Sequence, residues 1–209
     1  MEHALTYADV HRVKRLAKQL KKTNPELSHA KRLDQAATEL CGARNFYELN
    51  RWYDRQINKQ VDTPEGSQSV SHCLYCDYRF AADHKPDQKS HRDIHERFME
   101  VEEKLGYRPG TYVERERMKL DGYEEMRRKM HDAEEVDGLL MITRSWFDRS
   151  LHSAVTGGYW VKHPDFEAYV AMMIPQLETM NSAQAAVLAS RFGRTSGVIP
   201  KGGTYWSPN

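Results

Sequence analysis

The chain has 209 residues, of which 39% are hydrophobic and 29% charged, and its formal net charge is +1. This length allows one domain with a substantial core or two smaller ones, and the four Trp, eleven Tyr and six Phe exclude a disordered chain. The small net charge excludes a protein whose overall field attracts DNA, RNA or anionic lipid.

No apolar run reaches the roughly 18 residues that a membrane-spanning helix needs. The amino-terminal sequence also has no apolar secretory core. Three cysteines cannot all pair with one another, which favours a reducing compartment. We therefore expect a cytoplasmic protein that does not contact a membrane, with Cys41 as a small buried side chain on an apolar helix face.

Three amphipathic helices are predicted in residues 1–60. The first begins at Thr6, the second begins at Ser28 and ends at Gly42, and the third begins at Asn45. Hydroxyl and amide side chains accept hydrogen bonds from the first backbone N–H groups of a helix, and glycine favours the residue after its end. We expect these helices to pack into one compact unit.

A polar stretch follows this unit. Residues 61–69 are interrupted by Pro64 and Gly66, which predicts a linker. The predicted organisation is therefore a basic helical unit over 1–60, a linker over 61–69 and a second domain over 70–209.

The second domain is predicted to be mainly helical. One helix continues past His95 to Gly106, and a highly charged helical stretch begins at Thr111 with a break at Gly122. An apolar helix follows from Val136, and two further helices precede an irregular tail whose aromatic residues we expect to pack back on the domain.

Four candidate metal ligands lie at the start of the second domain. Cys73, Cys76, His91 and His95 have the spacing C-x2-C-x14-H-x3-H. Two cysteines in a tight turn can reach one ion, and two histidines one helical turn apart point in the same direction. Two thiolates and two imidazoles form the tetrahedral donor set that is typical of structural Zn²⁺. We expect these four residues to bind Zn²⁺.

The sequence does not indicate an enzyme. Four protein ligands leave no coordination position for water or substrate, so we expect the zinc to be structural and not hydrolytic. The chain also contains no phosphate-binding loop, dinucleotide glycine fingerprint, nucleophile elbow or H-E-x-x-H motif. We therefore infer no small-molecule substrate.

Two other histidines, His72 and His84, are competing candidates for the metal ligands.

Residues 71–96 resemble a C2H2-type zinc finger, with Phe80 as its first core aromatic. The interval between the second cysteine and the first histidine is 14 residues, against ~12 in most fingers. The helical patterns along the chain predict a mostly α fold, and the resemblance implies that its helical domain contains a small ββα-like zinc finger. The resemblance places three side chains toward base edges: His84, Asp87 and Ser90. We expect the long helix after the finger to dock on the carboxy-terminal helices, so that zinc staples the 70–209 domain.

Residues 28–53 resemble a small helical module of bacterial proteins that is labelled glyoxalase-related. The resemblance rests on the helix from Leu33 to Gly42 and on the N-F-Y-E-L sequence that follows. It carries no catalytic residue onto this chain, and this segment has no His and Glu set for a metal. We therefore infer no glyoxalase activity.

The amino-terminal unit carries the main excess of positive charge, with 12 Lys and Arg against 7 Asp and Glu in residues 1–60. A helix–turn–helix with cations beside it can hold DNA phosphates. The candidate nucleic-acid-binding residues are Lys18, Lys21, Lys22, Arg44, Arg51 and Arg55. The alternative is an ordinary solvated helix face on a plain packing unit.

Two functions stay open at this point. The first is a zinc-binding nucleic-acid-binding or regulatory protein of bacterial, plasmid or phage origin, which the finger spacing and the basic first helix favour. The second is a zinc-structured adaptor or inhibitor that binds another protein without contacting nucleic acid, which the low net charge and the altered finger spacing favour.

Overall fold

The computed structural model describes residues 5–63 and 70–208. Within them the chain forms eight α-helices and a three-stranded antiparallel sheet, which confirms the predicted mostly α fold. None of the helices in these ranges combines the length and apolarity that crossing a membrane requires.

The helices and strands occur in the following order: α1 (Tyr7–Thr23), α2 (His29–Cys41), α3 (Phe46–Asn58), β1 (Val61–Asp62), β2 (Val70–Cys73), β3 (Arg79–Ala81), α4 (Lys85–Leu105), α5 (Tyr112–Arg128), α6 (Asp137–Gly157), α7 (Phe166–Leu177) and α8 (Ser182–Phe192). A short 3₁₀ helix, Trp160–Lys162, lies between α6 and α7.

Packing contacts divide the chain into two compact units, with the boundary between Gly106 and Tyr107. This position differs from the linker predicted at 61–69, of which residues 64–69 lie outside the described ranges. Residues 61 and 62 form β1, whose pairing with β2 joins this segment to the sheet. The metal-ligand segment therefore belongs to the same unit as α1, α2 and α3.

The first three helices begin at the predicted residues, and α2 ends at the predicted Gly42. Thr6 and Asp9 form a reciprocal capping box at the start of α1. Ser28 and Asn45 accept backbone N–H bonds at the starts of α2 and α3, and Gly42 ends α2 with a φ of 67°. Local capping chemistry thus fixes the helix limits.

Small side chains form much of the core between these helices. The buried cluster consists of Val13, Ala17, Ala36, Ala37, Ala43 and Leu49. Because four of these six residues are alanines, the helix backbones can approach closely while larger residues close the edges of the cluster.

Helix α4 packs on α1 and α3 within the first unit. Met99 packs against a buried cluster that contains Val10 of α1 and Tyr53 of α3. Two turns of α4 before Met99, and between the two histidines, the Arg92 guanidinium lies 2.6 Å from an Asp54 carboxylate oxygen and donates to Asn50 over 3.2 Å. The apolar face after the histidines is therefore used within the first unit.

Two glycines allow α5 and α6 to approach closely in the second unit. A Cβ atom on Gly138 would lie 2.5 Å from the Met126 backbone nitrogen and 2.8 Å from the Gly122 carbonyl oxygen. Helix α5 therefore runs through Gly122 without a break, and the predicted interruption there is wrong. The glycine serves helix packing and does not end the helix.

The carboxy-terminal tail is held against α6 and α7 by side chains that bind its backbone. Gln176 donates to the Pro200 carbonyl oxygen over 3.1 Å, and the Trp206 N–H donates to the Ser150 hydroxyl oxygen over 2.9 Å. The Trp206 ring also meets the His163 ring edge to face at 5.5 Å. The predicted packing of the aromatic tail on its own domain is confirmed for Trp206.

Replacing Gly138 by alanine tests the close helix approach. Alanine stabilises an ordinary helix position by about 1 kcal/mol relative to glycine. Here we expect Gly138→Ala to lower the free energy of unfolding by about 1–3 kcal/mol, because the new methyl group overlaps the α5 backbone. Urea unfolding measures the change, with exposed Arg117→Ala on α5 as the near-neutral control. A Gly138→Ala protein as stable as the parent contradicts the packing.

Candidate metal centre

The two cysteines lie on a tight turn after β2. The Cys73 N–H donates to the Tyr78 carbonyl oxygen, and the Asp77 N–H donates to the Cys73 carbonyl oxygen, both over 2.9 Å. Asp77 has a φ of 59°, a left-handed conformation that Asp and Asn adopt more readily than most residues. The turn places Cys73 and Cys76 side by side, 0% and 1% exposed.

The two histidines lie one turn apart on α4. The helix begins at Lys85 with Pro86 in its first turn, where a missing N–H costs nothing. His91 and His95 therefore project from the same face, and they are 2% and 4% exposed. Helix α4 thus presents both imidazoles to the cysteine turn.

The four predicted ligands come together in the structure. One donor atom from each of Cys73, Cys76, His91 and His95 lies within 4.8 Å of the others, and all four residues are buried. Among these atoms, the Cys73 Sγ lies 3.3 Å from the His95 Nδ1. This group can hold a metal ion.

An unpartnered nitrogen supports metal binding at this position. The Nε2 atom of His91 is buried and has no hydrogen-bond partner within the described residues. Leaving a buried polar atom unsatisfied costs about 1–3 kcal/mol. A cation bound through this atom would satisfy it, and two sulfur and two nitrogen donors suit Zn²⁺.

The two thiols are electrostatically unequal. A hydrogen bond from Cys76 lowers the pKa of Cys73, and bonds from His91 and His95 act in the same direction. The same bond to Cys73, together with burial, raises the pKa of Cys76. The site therefore favours a first thiolate at Cys73, and thiolate is the form that binds metal.

Aromatic rings cover both imidazoles. Phe80 stacks on His91 with ring centroids 4.3 Å apart, and Tyr75 stacks on His95 at 4.6 Å. The Tyr75 hydroxyl donates to Glu102 on α4, which ties the cysteine turn to the helix. Phe80 is the aromatic that the sequence singled out, whereas Tyr75 was missed because nothing but its place between the cysteines marks it.

The competing histidines are engaged elsewhere. The Nε2 of His72 lies 2.8 Å from an Asp77 carboxylate oxygen, and the Nδ1 of His84 lies 3.0 Å from an Asp87 carboxylate oxygen. Neither histidine belongs to the group of converging donors. His72 instead supports the cysteine turn, and His84 precedes the first residue of α4.

The predicted nucleic-acid-binding residues lie on two parts of the first unit. Lys18, Lys21 and Lys22 are exposed on the last turns of α1, and Arg51 and Arg55 are exposed on α3. Within residues 5–63 and 70–208, none of these five forms an ion pair with a carboxylate.

Arg44, the sixth candidate, differs from the others because it pairs with Glu48. Its guanidinium lies 2.7 Å from a Glu48 oxygen, and this contact lowers the pKa of Glu48. The structure also brings Arg55 to one cavity with Arg12 and Lys59. The sequence analysis did not single out Arg12 or Lys59. The spacing of Arg51, Arg55 and Lys59 could have indicated Lys59, because residues four apart lie on the same face of a helix.

No family model, curated protein or solved structure matches this chain. The class of protein is therefore defined by its own fold and site. It is a mostly α-helical protein whose first unit carries a buried Cys2His2 group that can hold a metal ion.

Paired histidine variants test the assignment of the metal site. We expect His91→Ala to lose the metal, because three donors and a cavity replace the closed set, whereas His72→Ala retains it. Elemental analysis after dialysis measures metal per chain, and cobalt substitution reports the sulfur ligands by their visible absorption. Equal metal content in the two variants would show that His91 is not a ligand.

Proposed function

We propose that Cys73, Cys76, His91 and His95 bind a structural Zn²⁺ ion. The donor set, its burial and the unpartnered His91 nitrogen support this proposal. Four protein ligands give the ion a closed coordination shell, so its role is to hold the sheet against α4 and not to activate water. The free energy of binding then contributes directly to the folding of the first unit.

We infer that the segment is a variant of the C2H2 zinc finger. Strands β2 and β3 followed by α4 have the order that the finger resemblance implies, and β1 adds a third strand. Two of the three side chains expected to face base edges already form hydrogen bonds within the chain. His84 binds Asp87, and Asp87 also accepts the Ala81 N–H. This bonding does not favour base reading by the start of α4.

We propose that the first unit binds nucleic acid through its helical surface instead. The observation that carries this proposal is the set of exposed cations on α1 and α3 that form no ion pair in the described ranges. Such side chains can neutralise phosphates and release counterions. The zinc centre contributes indirectly, because α4 packs on α1 and α3 at the cluster that contains Tyr53.

A second candidate function is binding of another protein, and a feature of the second unit favours it. Val113 and Leu120 of α5 are 70% and 60% exposed, although the other face of this helix packs on α6. Val113 and Leu120 are seven residues apart and so lie on one face of α5, and an exposed apolar patch of this kind can mark a protein interface. Under this alternative the zinc is structural and no nucleic acid is bound.

A salt titration of nucleic-acid binding tests the first function. We expect the Lys18→Gln, Lys21→Gln and Lys22→Gln triple variant to bind DNA or RNA more weakly and with a shallower salt dependence. Each lost phosphate contact reduces the slope of log K against log salt by about 0.7–0.9. Fluorescence anisotropy between about 50 and 200 mM salt covers the range in which phosphate contacts change affinity most.

The control for this titration changes the same amount of charge on the second unit, through Lys129→Gln, Lys162→Gln and Lys201→Gln. We expect it to bind as the parent does. If the parent protein binds neither DNA nor RNA at the low-salt end, the nucleic-acid function is wrong and the protein-binding alternative takes its place.

A further inference from the structure

A cavity of about 900 Å³ lies where the start of α1, the end of α2 and the end of α3 meet. Its size falls within the range of about 300–1,000 Å³ that is usual for ligand sites. It lies outside the metal centre, since none of Cys73, Cys76, His91 and His95 lines it.

The lining of this cavity includes three cations and one carboxylate. Arg12 comes from α1, and Arg55 and Lys59 come from the end of α3. The carboxylate belongs to Asp9, which caps α1 through Thr6 and lies 3.2 Å from Arg12. The negative charge of Asp9 therefore interacts with the cap of α1 and with Arg12.

Arg55 and Lys59 form no ion pair with a carboxylate in the part of the chain that the structure describes. Their two full charges exceed the partial negative charge of about half an electron at the carboxyl end of α3. The lining of the cavity therefore carries a net positive charge that suits an anion.

The lining of the cavity also contains apolar side chains. Leu40 is 36% exposed, and Trp52 and Cys41 are half-buried. A leucine and a tryptophan that both border a cavity offer a surface on which a flat ring can stack. The cavity thus combines a place for a ring with a place for an anion.

We propose that this cavity binds one nucleotide of a single-stranded nucleic acid, with its base on Leu40 and Trp52 and its phosphate between Arg55 and Lys59. Single strands expose their bases for stacking on aromatic side chains, whereas a duplex keeps them paired inside. This inference rests on the proposed nucleic-acid function and names the form of nucleic acid and the residues that hold it. The same chemistry occurs in a free nucleotide, so the test separates these two sources.

The test measures binding of a 12-nucleotide oligothymidine, of the same sequence in a duplex, and of adenosine monophosphate. We expect the single strand to bind more tightly than the duplex. We expect Arg55→Glu with Lys59→Glu to weaken its binding at least tenfold. The matched pair Lys162→Glu with Lys201→Glu on the second unit should change it less than twofold. Metal content and circular dichroism confirm that each variant is folded.

Tryptophan fluorescence locates the bound base. We expect the oligonucleotide to quench the parent protein and to quench Trp52→Phe much less, because none of the other three tryptophans lines this cavity. Phenylalanine keeps the apolar contact, so we expect Trp52→Phe to fold as the parent does. A loss of quenching in this variant then reports the absence of the indole ring and not unfolding. A stronger quench by adenosine monophosphate than by inorganic phosphate shows that the base contributes.

The outcomes distinguish the two proposals. If the parent binds the oligonucleotide but the Arg55 and Lys59 variant binds equally well and Trp52 is not quenched, the cavity inference is wrong while the nucleic-acid function stands. If no nucleic acid binds, that function fails, and quenching of Trp52 by adenosine monophosphate alone identifies a free-nucleotide site. Absence of that quenching also overturns the cavity inference.

Discussion

The first unit depends on the convergence of four buried donor atoms, two sulfurs and two nitrogens, within 4.8 Å. The strands that carry the cysteines are too short to be stable alone, since β1, β2 and β3 have two, four and three residues. The sheet therefore needs the contact with α4 that the donors provide. Without a partner, these buried polar atoms would destabilise the fold. A cation bound by all four would instead stabilise the contact between the sheet and α4.

Helix α4 extends the influence of this contact to the amino-terminal helices. His91 and His95 face the cysteines, whereas Arg92 reaches Asp54 of α3 and Met99 packs beside Tyr53. The metal centre and the helical unit thus share one helix. In our proposal, the zinc takes no part in contacting nucleic acid but holds in place the helices that carry the cations.

The sequence predicts the features that are encoded by local chemistry. Helix caps at Thr6, Ser28 and Asn45 are each a single side chain bonding to nearby backbone, and the four ligands follow from residue type and spacing. What the sequence does not predict is assembled from distant segments. Strand β1 has only two residues in a polar stretch, so it looks like a linker until its pairing with β2 is known.

The same reason explains the other differences. Gly122 indicates a helix break in sequence, but the structure shows that its missing side chain makes room for α6. The apolar face of α4 is visible as a pattern, although the pattern does not identify which helices cover it. The cavity that joins Arg12 to Arg55 and Lys59 needs three helices in place before these cations become neighbours.

X-ray absorption spectroscopy at the zinc edge of the purified full-length chain tests the central claim most directly. The account predicts one zinc per chain with two sulfur neighbours at about 2.3 Å and two nitrogen neighbours at about 2.0 Å. A protein that is folded without bound metal, or a metal surrounded only by nitrogen and oxygen, would contradict it.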